Sequence, residues 1–169
     1  MDRHAGVISD THGLLRPEVF EVFKNVDLIF HAGDIGSSEV LEKLKTLAPV
    51  VAVRGNNDAG DWASEIPKTT ITQFGPISIY MLHDLKELDR SAHGADFQVV
   101  VSGHSHRPSI ERRDGILFVN PGSAGPRRFK LPVSAARLII HESTVSADLI
   151  ELLNSTDRAM LSGNGRPSM

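Results

Sequence analysis

Five short clusters of oxygen and nitrogen donors recur along this chain. They are Asp10-Thr11-His12, Gly33-Asp34, Gly55-Asn56-Asn57-Asp58, His83-Asp84 and Gly103-His104-Ser105-His106. Their donors are oxygens and imidazole nitrogens, a mixture that suits Mn²⁺, Fe²⁺ or Zn²⁺ and suits thiophilic ions poorly. In Asp-x-His and His-x-His the two side chains converge when the backbone is extended or turning, since residues i and i+2 of an extended segment share a side. Glycines before Asp34, Asn56 and His104 permit tight turns or a close backbone approach to an ion. One carboxylate such as Asp34 can bridge two ions about 3.5–4 Å apart, and such a pair clamps an in-line phosphoryl displacement. A water held between two such ions loses a proton readily.

Each cluster alone has a plainer reading. Gly-Asp and Gly-Asn-Asn-Asp are ordinary turn chemistry, and a lone histidine is more often a satisfied polar residue than a ligand. What separates these five is their placement, each just past an expected strand. Residues 5–9, 27–31 and 50–53 are short apolar runs that stop at Asp10, Gly33-Asp34 and Gly55-Asn56. Between them, residues 16–26 carry Val19, Phe20, Phe23 and Val26 at helical spacing with Pro17 in the first turn, and Ser37 or Ser38 caps a helix through Leu47. This β-α-β-α-β order predicts a parallel sheet with right-handed crossovers. Ligand sites of open α/β sheets lie at the ends of such strands.

The second half changes character. Gly75-Pro76 separates strands at 69–74 and 77–82, a helix is expected over 85–95, and 97–102 is a buried strand. Asp114-Gly115 between 110–113 and 116–119 is a strong hairpin signal. Residues 134–140 and 146–152 make a last antiparallel pair, and 154–169 read as a flexible tail after a single domain over 1–153.

The 169 residues hold 18 Lys+Arg against 21 Asp+Glu, so the net charge of −3 argues against a dedicated nucleic-acid surface. No cysteine is present, which excludes a thiolate site and a disulfide framework. No apolar run approaches the roughly 20 residues that cross a bilayer, and a cytoplasmic location without membrane contact is expected.

In this order, Asp-x-His, Gly-Asp, Gly-Asn-x-Asp, His and Gly-His-x-His resemble the motif set of the calcineurin-like metallophosphoesterase superfamily. The short chain resembles its YfcE-type phosphodiesterases, over about residues 5–152 and including Asn120-Pro121-Gly122-Ser123. The resemblance implies an α/β (α+β) fold, a four-layer α/β/β/α sandwich of two mixed β-sheets flanked by helices. It implies two divalent ions, Mn²⁺ first, with Fe, Zn, Ni or Co as substitutes. Asp10, His12, Asp34 and His106 would hold one ion, and Asp34, Asn56, His83 and His104 the other. The expected activity is phosphodiester hydrolysis by a metal-bridging hydroxide, with Asp34, Asn56, His83 and Asn57 as the catalytic set. The alternatives are a phosphomonoesterase on the same site and a non-catalytic interaction scaffold. The expected substrate is a small phosphodiester or a nucleotide-like molecule, and the expected assembly a homo-oligomer, dimer or tetramer.

Two positions depart from the common pattern. Asn57 stands where many members have a histidine that protonates the leaving group, and an amide cannot do so. Asp84 stands where glycine is common, as a support for a histidine ligand or, preferably, a helix cap. Asn57 and Arg107 are the candidate substrate-binding residues, with Arg127 and Arg128 as further phosphate contacts. Asp58 is expected to orient the Asn56 loop, His31 to support the site or face solvent, and Trp62, Phe74 and Phe129 to line a cleft or an interface. His4, His93 and His141 fit no pattern.

Overall fold

The computed structural model describes residues 2–89 and 96–153. Two five-stranded mixed sheets pack face to face. The first runs β10-β9-β1-β2-β3, built from β1 (Arg3–Ile8), β2 (Leu28–His31), β3 (Val50–Ala52), β9 (Ser134–His141) and β10 (Thr144–Glu151). The second runs β4-β5-β6-β8-β7, built from β4 (Thr69–Phe74), β5 (Ile77–Leu82), β6 (Val99–Val101), β7 (Ser109–Arg113) and β8 (Ile116–Asn120). Each sheet has a parallel block: β1-β2-β3 runs to one edge of the first, beyond the antiparallel β9 and β10, and β5-β6-β8 forms the centre of the second, between the antiparallel β4 and β7.

Strand periodicity divides the apolar side chains. Ala5, Val7, Phe30, Ala32, Ile79, Met81, Val99 and Val101 point between the sheets. Ile8 and Ile29 point outward, beneath α1 (Pro17–Val22) and α2 (Ser38–Lys45), where they meet Val19, Phe23, Val40 and Leu44. A third cluster of Tyr80, Leu82, Phe97, Val100, Ile116 and Phe118 lies on the other sheet.

The sandwich matches the sequence expectation, with corrections to its helices. The first helix spans Pro17–Val22 instead of 16–26, and Asn25 adopts a left-handed φ of 69° soon after it. Phe23 and Val26 stay buried through the turn beyond the helix. The helix expected over 85–95 is a single 3-10 turn at Leu85–Glu87, and 90–95 lie outside the described residues. Its apolar spacing is served instead by Leu85 and Leu88, which pack on the third cluster from an irregular segment. One short helix, α3 (Asp61–Ser64), carries no periodic signal in the sequence. The Asp114-Gly115 turn has φ of 52° and 81°, as a tight hairpin requires. Residues 154–169, read as a tail, also lie outside the described residues. Among the described residues no helix is long and apolar enough to cross a membrane.

Candidate metal centre

The loops that leave β1, β2, β5 and β6 meet at one end of the sandwich. Asp10 N–H donates to Gly33 O (2.9 Å), His12 N–H to Asp34 O (2.9 Å) and Gly103 N–H to His83 O (2.9 Å). The two halves are tied together by His104 N–H, which donates to Asp10 Oδ2 at 3.0 Å. Nine described non-glycine residues have a positive φ, and five of them are Asp10, His12, Asp34, His104 and His106. That conformation costs a non-glycine residue about 1–2 kcal/mol. Its concentration at the expected ligands marks a backbone held for its side-chain directions.

The hydrogen bonds divide each side chain into a held end and a free end. Asp10 Oδ2 accepts from Ser9 Oγ (2.6 Å) and from His104 N–H, while Asp10 Oδ1 has no hydrogen-bond partner among the described residues. His83 donates Nδ1–H to Ala32 O (2.7 Å), and its buried Nε2 has no hydrogen-bond partner among the described residues. His12 Nε2 is likewise buried and unpartnered. These free atoms converge. Asp10 Oδ1 lies 3.8 Å from His12 Nε2, 3.8 Å from His83 Nε2 and 3.3 Å from His106 Nε2. Asp34 Oδ2 lies 3.8 Å from His12 Nε2 and 3.3 Å from His83 Nε2. Such spacings exceed good N–H···O contacts, but they suit neighbouring ligands on one ion, whose bonds of about 2.1 Å put tetrahedral neighbours about 3.4 Å apart. Asp10, His12 and His106 bring ligand atoms within 4.8 Å of one another, and so do Asp10, Asp34 and His83. Buried donors and acceptors left unpaired cost free energy, and a bound cation answers all of them at once. The residues therefore fit a metal centre.

Electrostatics follow the same geometry. Burial works against ionisation of Asp34, but His83, the Asn57 N–H and His12 outweigh it and hold the carboxyl at about 2. Burial disfavours the charged His83, but Asp34, the Ala32 carbonyl and Asp10 outweigh it and raise the ring to about 8. A cation must displace that proton, so its affinity falls as pH drops below about 8. Burial, and then Arg128, push His106 down against the pull of Asp10.

Of the remaining expected residues, Asn57 is exposed and faces Asp34, donating its N–H to Oδ1 (2.9 Å) and its Nδ2–H to Oδ2 (3.2 Å). Asn56 is exposed and lines a cleft of about 280 Å³ with His83, His104, Arg54 and Lys68. His104 packs edge-on to His83, and its Nε2 is 3.8 Å from Asp84. Asp84 also caps the 3-10 turn by accepting from Lys86 N–H (3.1 Å), the preferred reading for that residue. Arg107 is exposed on a neighbouring cleft of about 620 Å³ beside Lys86 and Arg113. Phe74 is not in a cleft: it is buried between the sheets, edge-on to Phe30. Trp62 packs on the helix-side core, and Phe129 is exposed. His141 pairs with Asp2 at the far end of β1, and His93 lies outside the described residues.

Glycines set the clearance. A Cβ on Gly55 would lie 2.2 Å from Asp34 Oδ1, and one on Gly103 would lie 2.0 Å from Ser9 Oγ and 2.7 Å from Asp10 Oδ2.

Three supports act behind the ligands. Asp58 accepts from Ile35 N–H (3.1 Å), Gly36 N–H (3.0 Å) and Gly55 N–H (2.9 Å), locking the Asp34 and Asn56 loops together. His31 is fully buried and neutral, since burial, and then His83, lower it to about 3. It accepts Gly33 N–H at Nδ1 (3.2 Å), so the ring proton sits on Nε2 facing Thr11 Oγ1 (3.0 Å), whose hydroxyl donates to Ile35 O (2.7 Å). Asn120 donates to Gly103 O (3.0 Å) and Ser105 Oγ (3.2 Å), which fastens the His104–His106 loop. The Asp58 support agrees with the sequence expectation. The depth of His31 and the clasp made by Asn120 carry no signal beyond their nearness to the motifs.

Asp58→Ala should strip two buried N–H groups and one part-buried N–H of their acceptor and cost about 3 kcal/mol. Urea unfolding of the metal-free protein reads this directly, and a loss under about 1 kcal/mol would contradict the locking role.

Comparisons with known proteins bear on the family and the fold. Residues 4–143 match the model of the calcineurin-like phosphoesterase superfamily domain. A probable metallophosphoesterase of Methanocaldococcus jannaschii is 36% identical over 160 residues, covering 87% of this chain and 80% of that protein. A phosphodiesterase of the same organism is 29% identical over 136 residues, covering 69% and 81%. The crystal structure of a predicted phosphoesterase from Streptococcus pneumoniae superposes with a TM-score of 0.71 at 28% identity, over 90% of this chain and 91% of that one. Vps29 of Chaetomium thermophilum shares the fold at a TM-score of 0.72 and 18% identity, over 88% and 97%. With its motifs, its two mixed sheets and a match over most of its length, the chain belongs to the calcineurin-like phosphoesterase superfamily.

Proposed function

We propose that the chain is a dinuclear metal-dependent phosphodiesterase. The observation that carries this reading is the convergence of Asp10 Oδ1, His12 Nε2 and His83 Nε2, buried and unpartnered, beside the Asp34 carboxylate. Asp10, His12, Asp34 and His106 would hold one ion and Asp34, Asn56, His83 and His104 the other. Mn²⁺ is the first candidate, with Fe, Zn, Ni and Co as substitutes. When bound, the ions supply Lewis acidity to the phosphoryl oxygens and activate water for attack on phosphorus.

The chain's own residues govern substrate charge, orientation and leaving-group departure. Asp10 and Asp34 carry two formal negative charges, which leaves two divalent ions a net positive field for an anionic phosphate. Asn57 binds Asp34 with its N–H and its amide, fixing the shared carboxylate. The new P–O bond comes from water, and the broken one releases the leaving oxygen. Asn57 cannot protonate that oxygen, so departure as the anion favours diesters with good leaving groups. Arg107, which lines the adjoining cleft, would meet a phosphate oxygen with its guanidinium fork.

The test is hydrolysis of bis-p-nitrophenyl phosphate beside p-nitrophenyl phosphate, on chelator-stripped protein with and without Mn²⁺. Diester cleavage that appears only with metal, and exceeds monoester cleavage, is the expected result. Metal bound without cleavage of either ester would overturn the enzymatic reading and favour a binding scaffold.

A further inference from the structure

A basic and aromatic loop stands beside the candidate metal ligands and takes no part in holding them. It leaves and rejoins the fold at one place, because Ser123 pairs with Val133 and Ser134 N–H donates to Ser123 O (2.9 Å). Its base is pinned to the loop that carries Asp10. Ser123 Oγ donates to Asp10 O (3.0 Å), and Ala124 N–H to Ser9 O (3.0 Å). A Cβ on Gly125 would lie 2.3 Å from Thr11 O, and the Arg16 guanidinium donates to Gly125 O through Nε (3.3 Å) and Nη2 (3.0 Å). Residues 126–130 thus project directly from the backbone of Asp10 and Thr11.

What projects is Arg127, Arg128, Phe129 and Lys130, all exposed. No acidic residue occurs between 115 and 141, in a chain whose net charge is −3. Phe129 is 88% exposed with a left-handed φ of 55°. Core burial does not hold it there, and its backbone is uphill for a bulky residue. An aromatic face between cations has the makeup of a nucleotide contact, in which the ring stacks on a base and the cations meet phosphate. A sugar phosphate or an alkyl diester would give Phe129 no planar partner.

We propose that residues 126–130 are the nucleoside-recognition element of the site, with Phe129 stacking on the base of a nucleotide-type phosphodiester and Arg127 and Arg128 meeting its phosphate. This rests on the diester reading above and names its substrate class.

The experiment compares the p-nitrophenyl ester of thymidine 5′-monophosphate with methyl p-nitrophenyl phosphate on the Mn²⁺-loaded protein. Stacking strength predicts that Phe129→Ala raises KM for the thymidine ester roughly tenfold and leaves the methyl ester unchanged. Phe129→Trp should restore the thymidine ester, and Arg128→Ala should raise KM for both. An equal effect of Phe129→Ala on the two esters, or no effect, overturns the inference and leaves the diesterase reading standing. If the native protein cleaves neither ester, the diesterase reading fails, and equilibrium dialysis judges the loop alone. Tighter binding of thymidine 5′-monophosphate than of ribose 5-phosphate, lost in Phe129→Ala, would still support it, and equal binding would overturn it.

Discussion

Asp34→Asn is expected to lower hydrolysis by on the order of 10³-fold or more, with the metal-free fold intact. Asp34 is the one carboxylate assigned to both ions, so an amide there weakens both sites together. The backbone should tolerate the change, because asparagine is among the residues most at ease at the left-handed φ of 54°. The local hydrogen bonds should survive as well. The amide oxygen of residue 34 can accept the Asn57 N–H, and the Asn57 side chain can flip to offer its oxygen to the new NH₂. Thermal unfolding separates the two effects. In the native protein, metal at 100 times its Kd adds about 2.7 kcal/mol, which in a chain of this size raises Tm by roughly 5–10 °C. The variant should unfold within a few degrees of the metal-free native protein and lose most of the metal-induced rise. Full activity with two bound metals per chain would rule out the bridging assignment.

The candidate ligand positions could be picked out of the sequence because they follow strand ends, and the fold brings several of them together. Asp10, Asp34, Asn56, His83 and His104 each follow an apolar run, and an apolar run ending in a glycine and a polar donor can be read from a string of letters. Their backbone conformation could not be read this way. The left-handed φ of Asp10, His12, His104 and His106 accompanies contacts between loops far apart in sequence, such as His104 N–H on Asp10 Oδ2. Those partners lie 94 positions apart in sequence. His31 shows the same limit. Three residues before Asp34 it reads equally as surface or support, and only the packing of β2 inside the sheet buries it against Thr11.

The strands were more legible than the helices for a related reason. The Gly75-Pro76 and Asp114-Gly115 turns fix local geometry whatever surrounds them. Helical spacing over 85–95 does not, because Leu85 and Leu88 can reach the same apolar cluster from a 3-10 turn and an extended stretch. Phe74 misled in the opposite sense. An aromatic next to a Gly-Pro turn looks accessible, but β4 closes on β5 through Phe74–Ile77 and carries the ring inward to Phe30.

Asn57→His should convert the site from one that depends on its substrate's leaving group toward one that assists departure. The native residue spends its backbone N–H and one Nδ2–H on Asp34, and an amide has no proton to give a leaving group. A histidine keeps the backbone N–H on Asp34 Oδ1 and gives up only the side-chain bond, so the shared carboxylate loses one of two contacts. The ring, exposed as Asn57 is, then supplies the missing acid. General acid catalysis is worth about 10²–10⁴-fold for a poor leaving group and little for p-nitrophenolate. The variant should therefore raise turnover of phenyl phosphate by about 10²-fold while changing p-nitrophenyl phosphate and its diester little. The gain should also be pH-dependent with a fixed sign. An unperturbed imidazole is protonated below about 6.5, so the advantage is full at lower pH and fades as pH rises through that value. A phenyl to p-nitrophenyl ratio that matches the native protein at every pH would mean that a side chain at position 57 does not reach the leaving oxygen. The preference for diesters would then have to come from how the second ester group is held, with Arg107 and the loop at 126–130 as the residues that hold it.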